Sequence, residues 1–321
     1  MIPLKVVYNI LIRNLKKTNF PFPIDMKKAH KWAYELGLPR GGETVLYTSC
    51  LYQLVPYIDA MVKFLEKAEK SSFWRFGIKM YSSISFLEKF SGLFIRVSDK
   101  DFEPIYQILK AIALMLKKSG IEFGYLYEDD IYSGALFYDL GLDDLFAQHL
   151  KKVDERLRKY NVKKIIVIDP HTLHVFNHLM LEYIANADYE VVTYIELLDK
   201  SIDKLPQKVQ DIEYTIHDPC FYARWENVID PPRNLLEKAG IKINEPKRTK
   251  NFTGCCGGPI ESVAPFMSKA VAIGRLNELK EASENIITLC PICFANLRRY
   301  TKETRTKVSD FAVVLSKAFN L

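Results

Sequence analysis

Five of the six cysteines lie in the last third of the chain, as Cys220, Cys255–Cys256, Cys290 and Cys293. The pattern is one Cys, a gap of 34 residues, an adjacent pair followed by Gly257–Gly258, a gap of 33, and a C-x-x-C. Thiolates gathered in this way suit soft metal: iron–sulfur clusters, zinc or Cu(I). A tetrahedral zinc ion takes four ligands, and five thiols exceed that by one. The surplus points to a polynuclear cluster rather than a single ion. A structural zinc on four of the thiols, or buried free cysteines, are the other readings of the same residues.

Positioning such thiols requires strands that end at helix starts. IITLCPICFANLRR reads as a buried strand over 286–289 running into a helix at Cys290–Pro291, and KKIIVIDPHTLHVFNHL reads as a strand over 165–168 with Asp169–Pro170 opening a helix. Proline suits the first helical turn, where its missing N–H would be unpaired anyway. EYTIHDPCFYARW puts Cys220 after a strand, and ETVLYTSCLYQLVPY does the same for Cys50. A third pair sets Tyr132–Ser133–Gly134 where Cys255–Cys256–Gly257 stand, each followed by a long helix, over 142–160 and 268–282.

The chain therefore reads as an internal repeat. Ser133 to Asp169 is 36 positions and Cys256 to Cys290 is 34, but Cys50 to Tyr132 is 82 against 35 for Cys220 to Cys255. About 47 additional residues thus enter the first half, placed near 67–107. Alternating strands and helices imply an α/β fold of two pseudo-symmetric repeats, each a small parallel sheet flanked by helices. The expected domains are 1–205 and 206–321, joined by a polar, Lys-rich linker over 199–210.

Composition is that of a soluble globular protein, 48% apolar and 26% charged. Six cysteines are too few and too clustered for a secreted disulfide scaffold, so a reducing cytoplasm is expected, with membrane association only through partners. No apolar run reaches the roughly 18 residues of a membrane span. MIPLKVVYNILIRNLKK lacks a signal-peptide core and reads as an amphipathic or extended lead-in packed on the body or a partner. The net charge of +6 is spread along the chain, without the basic stripe that nucleic acid would require.

HDPC, CCGGP and CPIC, with Pro232–Arg233 after the first, resemble the cysteine-rich CCG domain. That domain occurs in the catalytic subunit of heterodisulfide reductases and in iron–sulfur subunits of glycolate, lactate and anaerobic glycerol-3-phosphate dehydrogenases. KKAHKWAYELGLP before Cys50 resembles the stretch that links a ferredoxin module to the first CCG repeat. The resemblance implies that Cys220, Cys255, Cys256, Cys290 and Cys293 hold one noncubane [4Fe–4S] cluster. A turn relaxed by Gly254, Gly257 and Gly258 would let both adjacent sulfurs reach one centre. Cys290 and Cys293, at a helix start, would gain from its positive end.

The first half departs from the family pattern. Only Cys50 remains; Tyr132–Ser133 replace the adjacent pair, and Asp169 and Thr172 replace the C-x-x-C. No cluster is expected there. His171, His174 and His178 fall on one helix face but span about 10 Å, so at most two would serve a single ion. Ordinary packed or exposed histidines are the first reading, and a second metal site on Cys50, Asp169 and His171, with Glu128 to Asp130 nearby, is the lesser one. The insertion carries Phe73, Trp74 and Phe76 and reads as a helical cap or a docking segment.

In function, the resemblance implies a heterodisulfide-reductase-like redox subunit acting on a disulfide, thiol or sulfur carrier within a multi-subunit complex. The alternatives are an electron-transfer subunit of a flavin-dependent, quinone-linked hydroxyacid or glycerol-3-phosphate dehydrogenase, and a non-enzymatic zinc-clamped adaptor. With neither a G-x-G-x-x-G fingerprint nor a ferredoxin-type cysteine run in view, flavoprotein and ferredoxin-like iron–sulfur partner subunits are implied. His217 and Arg224 are the candidate catalytic residues: the first as a proton donor or as a pin for the ligand loop, the second for an anionic substrate. Arg233 and Arg275 would balance charge or sit solvated on the surface.

Overall fold

A computed structural model describes residues 4–70, 97–202, 212–261 and 263–321. Most of the expected insertion, with Phe73, Trp74 and Phe76, lies outside the described residues; so do the 205/206 boundary and most of the expected linker.

Two parallel sheets carry the architecture. β1 (Thr44–Tyr47), β2 (Gly124–Tyr125), β3 (Lys164–Val167) and β4 (Glu190–Thr193) form one, in the order β2-β1-β3-β4. β5 (Thr215–His217), β6 (Asn285–Thr288) and β7 (Lys307–Asp310) form the other, in the order β5-β6-β7. Parallel neighbours need long crossovers, and helices supply them. The central strands are buried on both faces, which is why they read as apolar, β-branched runs such as Ile165–Ile166–Val167 and Ile286–Ile287.

The two sheets repeat one plan in detail. β1 pairs with β2 on one side and β3 on the other; β5 pairs with β6, and an isolated parallel bridge between Tyr214 and Ile243 stands where β2 would be. Gly134 and Gly257 both precede their helices in the left-handed region, at φ 95° and 80°. Asp169 and Cys290 are both extended helix caps followed by proline. β4 runs into the helix Tyr194–Ser201 through a Thr193–Glu196 capping box, and β7 runs into Phe311–Ser316 through Asp310.

Several bounds differ from the sequence reading. β3 and β6 each end one residue earlier, because Ile168 and Leu289 already lead into the caps at Asp169 and Cys290. The helix expected over 268–282 is Pro265–Lys280, since proline at its first position sets the start. The amino-terminal stretch is a helix, Leu4–Thr18, that buries Leu11 and Leu15 in the main core.

Packing joins the halves. The helix Leu51–Lys70 lies against Pro291–Arg298, Arg298 and Arg299 pair with Asp59, and Tyr52 donates its hydroxyl to the Asp310 carboxylate at 2.6 Å. One apolar core runs through both sheets. Burial pushes the Asp310 carboxyl up to about 7.

Candidate metal centre

Three segments at the ends of β5 and β6 bring the carboxy-terminal cysteines together. Cys220 opens a short helix just beyond β5; Cys290 caps the helix Pro291–Arg298 after β6, and Cys293 lies in its first turn. Cys255 and Cys256 arrive on the loop that ends at Gly257, whose positive φ turns the chain back. The Gly257 N–H donates to Cys255 Sγ at 3.2 Å and the Gly258 N–H to Cys256 Sγ at 3.4 Å. Cys256, Cys290 and Cys293 share one buried cluster, Cys220 is half-buried, and Cys255 is exposed. The site is thus a sulfur-lined floor with an open side.

Histidines complete it. His217, at the end of β5, forms with Cys256 and Cys293 a group whose donor atoms all lie within 4.8 Å of one another. Its Nδ1 accepts from Arg275 Nε at 3.2 Å, which leaves the proton on Nε2, facing sulfur with no other partner. His171, from the first half, packs on Phe221 with ring centroids 4.6 Å apart and lies near enough to Cys290 for each to affect the other's charge.

The electrostatics follow from these contacts. A hydrogen bond from Cys255, then one from Cys293, holds the Cys256 thiol well below its ordinary range. Burial pushes Cys290 up, but hydrogen bonds from Cys293 and His171 outweigh it and bring the thiol down to about 6. Burial opposes charge on His171 too, yet the bond and charge of Cys290 raise it to about 9. Cys220 is pushed up to about 11, first by burial and then by the sulfurs of Cys256 and Cys290. Soft donors, backbone N–H groups aimed at sulfur and a buried, charge-favouring His171 fit an anionic iron–sulfur group.

Residues 214–298 match the CCG family, described as a cysteine-rich domain. These residues are a CCG domain. The chain is similar to "EtfAB:quinone oxidoreductase" of Syntrophomonas wolfei, 34% identical over 65% of this chain and 31% of that protein. It is similar to one of the subunits of the dihydromethanophenazine:CoB–CoM heterodisulfide reductase of Methanosarcina acetivorans, 29% identical over 66% of this chain and 55% of that one. It is also similar to "Probable iron-sulfur-binding oxidoreductase FadF" of Bacillus subtilis, 28% identical over 65% and 30% of the two chains. The match thus spans from about a third to just over half of each relative's length.

Arginines brace the CCG domain; Arg233 and Arg275 are largely withdrawn from solvent, whereas Arg224 is exposed. Arg224 donates to the backbone carbonyls of Asn251 and Thr253, just ahead of Cys255, so its guanidinium is engaged in holding the loop. Arg233 grips Asp218 at 2.9 and 3.0 Å and also Glu245, which fixes the segment carrying Cys220. Arg275 is 1% exposed and, besides His217, holds the Arg248 carbonyl and pairs with Glu278. Apart from Glu278 one helical turn on, the partners named here are 27 and 58 positions away, and no local pattern announces them.

The structure does not bring together the second site expected on the first half. Cys50 is buried and donates to the Asp130 carbonyl at 3.3 Å. Asp169 Oδ1 caps its helix through the N–H groups of His171 and Thr172, while the His171 ring turns to Cys290. His174 and His178 turn to Glu226. His171 and His174 lie on the short helix Pro170–His174 and His178 in the π turn Val175–Leu179 that follows, and the three histidines serve two places. Between the halves, next to His171 and Gly258, lies a mostly apolar cavity of about 80 Å³, also lined by Phe22, Tyr132 and Ile292.

Proposed function

We propose that this chain is an iron–sulfur redox subunit in which Cys220, Cys255, Cys256, Cys290 and Cys293 hold one noncubane [4Fe–4S] cluster. The observation that carries the reading is the gathering of Cys256, Cys290 and Cys293 in one buried cluster, with Cys220 half-buried and Cys255 exposed, all within the residues that match the CCG family. Bound there, the cluster supplies one-electron transfer and an iron site for sulfur. The finer reading is heterodisulfide-reductase-like: a disulfide or thiol carrier meets the open side, within a complex that includes flavoprotein and ferredoxin-like subunits in a cytoplasmic setting. Cleaving a disulfide takes two electrons and two protons and yields two thiols. The electrons come from the partner subunits.

The chain's own residues supply the rest. His217, kept in one tautomer by Arg275, holds a proton on the atom facing Cys256 and Cys293. His171 holds one against Cys290. The adjoining cavity, about 80 Å³ and largely apolar, has room for a thiol-sized group. Two repeats, 1–205 and 206–321, would then divide the labour, the second holding the cluster and the first lending His171 and the cavity wall.

A second reading has its own support. The relative at 34% identity bears the name "EtfAB:quinone oxidoreductase", which favours electron relay without substrate chemistry at this site. No helix among the described residues is long and apolar enough to cross a membrane, so contact with quinone would run through partners.

Anaerobically isolated protein is expected to carry about four irons and four sulfides per chain. Cys256→Ser should lose them. Electron paramagnetic resonance of the oxidised protein reports the type of centre. Thiol release from a disulfide, driven by reduced viologen, supports the sulfur reading; its absence with the centre intact supports the relay. One zinc and no iron would replace both with the adaptor.

A further inference from the structure

A second cluster of metal-type donors lies outside the cysteine site. His174 precedes the π turn Val175–Leu179 and His178 lies within it, with ring centroids 4.9 Å apart. Glu226, six positions after Cys220, approaches from the other half of the chain. One oxygen, Oε1, meets His174 Nδ1 at 2.8 Å and His178 Nε2 at 3.1 Å. Its second oxygen accepts from Asn177 Nδ2 at 3.0 Å. All three donor atoms lie within 4.8 Å of one another.

We propose that His174, His178 and Glu226 form a site for one divalent ion of the zinc class, which ties the first half of the chain to the Cys220 segment. Two imidazoles and a carboxylate are a donor set that zinc takes, with a water in the fourth position. Ligands at about 2.05 Å in a tetrahedron stand about 3.3 Å apart. The observed 2.8 and 3.1 Å therefore need to open by about half an ångström or less.

Burial is graded in the way an open site requires. The Glu226 side chain is 2% exposed and the His178 side chain 48%, so the carboxylate is held at the bottom and the solvent side is free for water. Asn177 fixes the orientation of the carboxylate, the role an outer partner plays in metal sites. The π turn is where a helix departs from regularity, and such turns recur at functional sites. Phe221 packs against both His171 and His174 and separates this site from the thiols. The ligands lie on two segments joined through residues 203–211, so an ion here acts as a cross-link beside the cysteine floor.

The proposal is independent of the type of centre on the cysteines. The test is Co(II) titration of the full chain, after chelator treatment and with the iron content of the cysteine site measured before and after. One equivalent with tetrahedral d–d absorption and no thiolate charge-transfer band supports it. That equivalent should disappear in the His174→Ala/His178→Ala double variant and weaken about ten- to a hundredfold in Asn177→Ala. Zinc should compete for it and raise the Tm of wild type but not of Glu226→Gln, which retains the volume of the buried side chain. Wild type that takes up no Co(II), or an equivalent that survives in the double variant, or one whose spectrum is that of thiolate alone, overturns it.

Discussion

Replacing Arg233 with methionine tests whether its clamp on Asp218 holds the Cys220 segment. The Asp218 side chain is 3% exposed and takes both terminal nitrogens of Arg233, at 2.9 and 3.0 Å. Removing one member of a buried ion pair costs about 3–5 kcal/mol, because the remaining charge is left uncompensated. Here part of that is offset. The Lys250 N–H at 2.8 Å and the Thr249 hydroxyl at 3.2 Å still donate to Asp218. Loss of the more exposed Glu245 arm adds under about 1 kcal/mol. The expected destabilisation is therefore about 2–4 kcal/mol. Urea unfolding at fixed pH reads it as a lower midpoint with an unchanged slope. Iron content should fall with it, since Asp218 stands two residues before Cys220. Asp218→Asn in the same background should recover part of the loss, giving a coupling energy above about 1 kcal/mol. An Arg233→Met protein within about 0.5 kcal/mol of wild type and with its full iron would refute the reasoning.

Further outcomes follow from the same geometry. A Cβ on Gly257 would meet the Ser268 carbonyl at 2.8 Å in a backbone at φ 80°, so Gly257→Ala should cost about 1–3 kcal/mol and impair metal binding. Gly274→Ala, with nothing within 4 Å in a helix interior, should be neutral or stabilise by about 0.5–1 kcal/mol in the same unfolding assay. Burial raises the Asp130 carboxyl to about 7, so folded protein keeps a proton that the unfolded chain releases near pH 4. Its contribution is complete below about pH 4 and is lost as pH rises through about 7, at up to about 1.4 kcal/mol per unit. Asp130→Asn should flatten that part of the stability profile between pH 4 and 8, and an unchanged slope counts against the assignment. Arg275→Met should leave His217 Nδ1 without its donor. The test is the paramagnetic signal, which should shift with the histidine tautomer while iron content stays within half of wild type; an identical spectrum removes the positioning role.

Much of the fold was legible because local chemistry wrote it. Runs such as Ile165–Ile166–Val167 announce strands covered on both faces, and Asp169–Pro170 and Cys290–Pro291 announce the helices after them. Glycine at equivalent places, 134 and 257, betrayed the repeat because both need the left-handed region. The Arg224 and Arg233 roles were not legible. A sequence shows a cation but not what it touches, and both guanidiniums are taken up by the loops that carry the cysteines.

The number, type and spacing of the carboxy-terminal cysteines, together with the strand-then-helix rhythm around them, were determined by sequence alone. Those properties depend on residues a few positions apart, where backbone preference and side-chain chemistry act directly. Which histidine faces which partner was decided only by tertiary structure. His171, His174 and His178 lie within eight consecutive residues, yet one meets Cys290 and two meet Glu226, across separations of 48 to 119 positions. Such pairings come from how two sheets and a π turn pack one apolar core, and no local pattern encodes that.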